Sequence, residues 1–68
     1  MIKYDVYTLL GRRYRVRMDL PMWRLSEYYN PYLGVFRTSG TSAANVVLHA
    51  KAVLVARNVV FKDGLCSQ

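Results

Sequence analysis

Polarity alternates from Ile2 to Leu10 and again from Tyr14 to Met18, with Gly11 between the two runs. Ile2, Tyr4, Val6, Thr8 and Leu10 share one side of the first run; Lys3, Asp5, Tyr7 and Leu9 share the other. β-Branched and aromatic residues dominate both runs, so the pattern predicts a β-hairpin at the start of the chain. A hairpin alone is marginal in water, so the rest of the chain must cover its apolar face.

Register follows from which residues should meet. A three-residue loop, Gly11 to Arg13, pairs Leu10 with Tyr14, Thr8 with Val16 and Val6 with Met18, which gathers the apolar partners on one face. That register predicts Arg15 and Arg17 on the opposite face, away from the core. A two-residue Gly11-Arg12 loop suits a type II′ turn better, since that turn wants glycine first. It sets Arg15 and Arg17 beside apolar residues. The hydrophobic pattern favours the three-residue loop.

Downstream, "DLPMWRLSEYYNP" reads as a short helix. Asp19 is its cap, Pro21 sits in the first turn, Leu20, Trp23 and Tyr28 line one side, and Asn30-Pro31 ends it. Tyr32 to Arg37 reads as a third strand, with Gly34 marking a bulge or a close backbone approach. Thr38 to Ser42 reads as a turn and a helix start, with Thr41 or Ser42 as N-cap. From Ala43 to Arg57 the alanines favour helix and the valines favour strand; one long helix is the expectation. Asn58 is placed to close it in the left-handed conformation. Val59 to Phe61 is a fourth strand, and Asp63-Gly64 a turn. The expected fold is therefore α+β, in the order β-β-(short α)-β-α-β. A small antiparallel sheet of three to four strands lies under one long C-terminal helix, and residues 1–68 form a single compact domain. On that helix two apolar stripes are predicted, one holding Val47 and Leu54, more than one sheet can cover. That surplus points to self-association as a homodimer, or to docking on a larger partner.

Composition narrows the function classes. The chain has 68 residues, ten of them Lys or Arg against four acids, for a formal charge of +6. A basic balance favours nucleic acid, acidic proteins or anionic surfaces as partners. The first nine residues carry Asp5 and alternate in polarity, unlike a signal peptide. The longest apolar stretch holds His49, Lys51 and Arg57, which argues against a membrane span. Cys66 is the only cysteine, which suits a reducing compartment and reads as a small apolar residue in a terminal strand. Together these favour a soluble, cytoplasmic protein.

Four of the ten basic residues fall between Arg12 and Arg17. Arg12, Arg13, Arg15 and Arg17, with Lys3 and Tyr7 on the same expected face, form the candidate polyanion surface. Guanidinium forks match phosphate bidentately, and an aromatic beside them can stack on a base. The plain alternative is a solvated edge whose charges keep sheets apart, a task for which lysine is the usual choice. A second candidate is the aromatic stretch "MWRLSEYYNPYLGVF". Trp23 and Phe36 are assigned to the core. Tyr28, Tyr29, Tyr32 and Arg24 are assigned to a partner surface, since tyrosine and arginine are common interface anchors. A third is the helix start "RTSGTSAAN", read mainly as ordinary capping because the phosphate-loop spacing is absent. His49 has no cysteine or carboxylate at ligand spacing, so no metal site is expected, and no cofactor.

The expected function is non-catalytic: a small basic protein docking an Arg/Tyr-rich hairpin face on a polyanion, most simply nucleic acid. An alternative by analogy of size is an accessory protein from a phage or mobile element. Such proteins, the anti-CRISPR type among them, often inhibit a host nucleic-acid-handling machine by occupying its nucleic-acid channel or an acidic protein surface. A third reading is a small ribonuclease toxin using His49 as its acid or base.

Overall fold

The computed structural model describes residues 2–61. Five strands run in chain order β1 (Tyr4–Leu9), β2 (Arg12–Arg17), β3 (Leu25–Asn30), β4 (Val35–Ser42) and β5 (Val53–Val59). One short helix, α1 (Ala43–Val47), lies between β4 and β5. All pairings are antiparallel, and the sheet order is β4-β3-β2-β1-β5. The first four strands thus form a meander, and β5 returns to pair with β1.

The long C-terminal helix is corrected to this short one. Ser42 caps α1 as expected, its side chain accepting a hydrogen bond from the Asn45 N–H. The helix stops at Leu48 after five residues, and the chain turns through His49 to Lys51. The Ala52 N–H then bonds the His49 carbonyl, and β5 begins. Sequence pattern alone cannot separate a buried strand from a buried helix in a short apolar run. The deciding factor is tertiary: β1 offers β5 an open edge, and the valines of residues 53–59 suit a pleated ladder better than a helical turn. The two apolar helix stripes therefore do not exist as such, and their argument for a homodimer goes with them. Asn58 does adopt a left-handed φ of 55°, but inside β5. There the ladder shifts register between Tyr4 and Val6, and the Asn58 N–H bonds Asp5 Oδ1 at 3.2 Å.

The expected helix near Asp19 is also absent. Residues 25–30 form β3, where Tyr28 and Tyr29 follow their strand propensity. Asp19 caps nothing; it is paired with Arg17. The third expected strand starts later than Tyr32 and runs through the expected turn to Ser42. Between β3 and β4 the Gly34 N–H bonds the Asn30 carbonyl, with Gly34 at φ 72°. Val59 ends β5 rather than opening a strand to Phe61. Asp63-Gly64 and Cys66 lie outside the described residues.

The N-terminal hairpin forms with a different turn. Leu9 pairs with Arg12, leaving Leu10-Gly11 as a two-residue loop. Both residues have positive φ, 52° and 81°, as a type I′ turn requires. This turn matches the twist of the strands, and that gain outweighs placing a leucine in the left-handed region. The consequence is a register in which Arg15 faces Val6 and Arg17 faces Tyr4 across the ladder. The expected pairing of Leu10 with Tyr14 does not occur; Tyr14 meets Tyr7.

An odd slip exchanges the faces of a strand. The apolar residues of β1 and β2 therefore cover opposite sides of the sheet. One side holds Leu9, Tyr14 and Val16, packed under Ala43 and Val46 of α1. The other holds Tyr4, Val6, Arg15 and Phe36, all buried. A flat five-stranded sheet would separate β4 from β5 by about 19 Å, four steps of roughly 4.8 Å. Yet Phe36 of β4 and Phe61, just past β5, meet edge to face with centroids 5.1 Å apart. The sheet curls until its two margins touch.

Candidate nucleic-acid interface

Burial separates the arginines that the sequence groups together. Arg15 is 0% exposed. Its guanidinium carbon lies 4.3 Å from the centre of the Tyr4 ring, 4.4 Å from Phe36 and 4.7 Å from Phe61. Its Nε donates to Glu27 Oε1 on the neighbouring strand. A charge can stay in such a place only when paired and surrounded by polarisable rings. Arg15 is therefore part of the core, and the expectation that it projects from the outer face is corrected. Arg17 is half-buried and donates from Nε and Nη2 to both carboxylate oxygens of Asp19, at 2.9 and 2.7 Å. Those hydrogen bonds hold the Asp19 carboxyl below its ordinary range and Arg17 above its own. Tyr7 is half-buried against the helix-side core.

Arg12 and Arg13 remain exposed at the hairpin tip, with no acidic partner among the described residues. The strands that carry them lean away from their neighbour. Between β2 and β3 the ladder consists of Tyr14 with Tyr28 and Arg15 with Glu27. Beyond Tyr14 and Tyr28 the two hairpins diverge and leave an open cleft of about 900 Å³. Arg12, Arg13, Tyr28, Tyr29 and Tyr32 are among its lining residues, with Arg13 and Tyr29 on the Tyr4 side of the sheet and Arg12 and Tyr28 on the helix side. Residues 38–41 of β4 complete it.

The tyrosine border of the cleft is held in place. Asn30 Oδ1 accepts the N–H groups of Tyr32 at 2.9 Å and Leu33 at 3.2 Å, which fixes the loop. Tyr29 leans edge-on against Phe36, with centroids 5.4 Å apart. Tyr32 is 95% exposed on this ordered turn. An aromatic ring so displayed has no packing role in the chain itself.

On the Tyr4 side of the sheet the structure thus brings Arg13 together with Tyr29, with Tyr32 on the adjoining loop; Arg12 and Tyr28 border the cleft from the helix side. It does not bring the other candidates there. Lys3 and Arg17 sit at the far end of the hairpin ladder from Arg13, about 13 Å along the strand. Arg17 and Arg24 border a smaller cavity of about 260 Å³ with Tyr4, Arg15, Leu20 and Leu25. Trp23, expected in the core, is 71% exposed, with the Arg24 guanidinium 5.5 Å from its ring centre. Phe36 is buried as expected.

Ser42 serves as a cap, and the segment before it belongs to β4. There Ser26 and Ser39 hydroxyls bond each other at 2.8 Å in a buried position. His49 is exposed in the turn after α1, and its Nδ1 accepts the Lys51 N–H at 3.0 Å. Among the described residues no three His, Cys, Asp or Glu side chains converge as metal ligands. Among them too, no helix is long and apolar enough to cross a membrane.

Sequence reasoning missed the tyrosine border of the cleft as part of a hairpin. The available signal was Asn30-Pro31 followed by Gly34, a loop between two β-prone runs, which reads as a hairpin once Tyr28 and Tyr29 are assigned to a strand. Comparison with protein-family models, with curated proteins and with solved structures finds no match to this chain.

Proposed function

We propose that the protein is a non-catalytic nucleic-acid-binding module that holds its ligand in the cleft between its two hairpins. The observation that carries this reading is one cleft bordered by Arg12 and Arg13, exposed and without an acidic partner among the described residues, and by Tyr29 and Tyr32. Guanidinium forks meet phosphates, and tyrosine rings meet bases, so one cleft supplies both halves of a nucleotide's chemistry. Arg15, Tyr7, Arg17 and Lys3 leave the proposed surface, because they are buried, paired or distant from it.

A salt titration tests the reading. Each phosphate neutralised contributes a slope of about −0.7 in log K against log salt on single strands and about −0.9 on duplex DNA. Arg12 and Arg13 together therefore account for a slope of about −1.4 to −1.8. Replacing both with Ala flattens the slope by that amount. No binding to any nucleic acid at low salt overturns the reading.

One observation favours a second reading, a protein partner. Met22, Trp23 and Leu25 are exposed around Arg24, a combination of apolar anchor and cation found in interface hot spots. An inhibitor of a nucleic-acid-handling machine would use that surface, and Trp23→Ala would then abolish its capture while leaving nucleic-acid affinity intact.

A further inference from the structure

The shape of the cleft and of the sheet around it decide between strand classes. We infer that the ligand is single-stranded nucleic acid, with an unpaired base stacked on Tyr32 and its neighbour against Tyr29. This inference rests on the nucleic-acid reading of the same cleft.

The first reason is what a duplex reader needs. The major groove is about 12 Å wide and admits a helix or a free two-stranded ribbon. The helix α1 has five residues, about 7.5 Å, and is packed on the sheet through Ala43 and Val46. The arginine-bearing hairpin is not a free ribbon, because β3 flanks it on one side and β5 on the other. A body measuring 31 × 27 × 21 Å does not enter that groove.

The second reason is what the tyrosines offer. Bases in a duplex are stacked on each other and present no face to a protein ring. Unpaired bases do, and stacking on aromatic side chains is the common way to hold them. Tyr32 presents a nearly bare ring on a loop fixed by Asn30, so the stacking surface exists before the ligand arrives. Such pre-ordering lowers the cost of binding. Arg13 shares the Tyr29 side of the sheet and Arg12 borders the cleft from the helix side, and these two arginines are the cleft's cations for the strand's phosphates. Thr8 and Thr38 also line the cleft, and threonine hydroxyls can bond base edges.

The test compares three fluorescently labelled probes of about twelve nucleotides, a size within the range such sites cover. They are oligothymidylate, oligouridylate and a DNA duplex of the same length, titrated at low salt. The expected result is that at least one single strand binds ten-fold or more tightly than the duplex. Tyr32→Ala then weakens single-strand binding by about ten-fold or more and leaves duplex binding unchanged, and Tyr32→Phe restores it. Arg12→Ala with Arg13→Ala weakens all probes. Because Tyr32 is exposed, these variants fold. If the duplex binds as tightly as either strand, or if Tyr32→Ala leaves single-strand affinity unaltered, the single-strand inference is overturned while the nucleic-acid reading stands. If no probe binds, both fall.

Discussion

Arg15 lies directly opposite Val6 in the β1–β2 ladder, so a guanidinium shares its side of the sheet with Tyr4 and Val6 rather than with solvent. Everything distinctive about this core follows from that pairing. The charge is accommodated by Glu27 beside it and by three aromatic rings around it.

Removing Glu27 therefore matters more than removing Arg15. Glu27→Ala removes a carboxylate that pairs with a buried guanidinium and should cost about 3 kcal/mol. Arg15→Met removes charge and pairing together and keeps an apolar volume, so its cost should be smaller. In a domain of this size 1 kcal/mol shifts the melting temperature by about 4–8 °C. Thermal melts of the two variants should rank Glu27→Ala as the less stable.

The turn gives a stabilising change. Leu10 holds a left-handed φ of 52° while 70% exposed, so its side chain contributes little packing. Asparagine tolerates that conformation, and Asn-Gly is the preferred type I′ pair. Leu10→Asn should raise stability by about 0.5–1 kcal/mol, and Gly11→Ala, at φ 81°, should lower it by about 1–2 kcal/mol. Urea midpoints for both variants check the two signs together.

Helix-side packing can be ranked as well. Val46 is 0% exposed, whereas Leu54 is half-buried in β5 beside Tyr7. Val46→Ala should cost about 2–3 kcal/mol, and Leu54→Ala about 1 kcal/mol. A larger loss at Leu54 would contradict its placement in an edge strand.

Acid should act on Asp19 through Arg17. The hydrogen bonds from Arg17 depress the Asp19 carboxyl, so their contribution to stability is present above the unfolded carboxylate value near pH 4. It is lost as pH falls through the lower folded value. Both groups are solvent-accessible, so the effect on stability is small. In a carboxyl-detected NMR titration, Arg17→Ala should move the Asp19 midpoint upward to the ordinary range.

Much of the N-terminal half was legible because alternation is a strong signal. The first hairpin, the burial of Phe36 and the Ser42 cap all follow from pattern. The register was not, because the apolar count favoured one face and the turn geometry favoured another. A buried, paired arginine resolves that conflict, and no rule of polarity anticipates one. The residues of β5 suit helix or strand, and only the open edge of β1 selects between them. The cleft was hidden for the same reason as β3: tyrosines near Asn-Pro look like a helix end until their strand partners are known.

The meeting of Phe36 with Phe61 carries a kinetic consequence. The meander from β1 to β4 grows through neighbouring hairpins, so its contacts are close in sequence and form early. Pairing Tyr4 with Val59 joins the two ends of the described chain, and that closure pays its loop entropy last. Until it happens, Arg15 lacks the Phe61 ring and one margin of its enclosure. The step that finishes the sheet is then the step that removes the arginine from water, so the amides of β5 and β1 should open to hydrogen exchange together, as one cooperative unit.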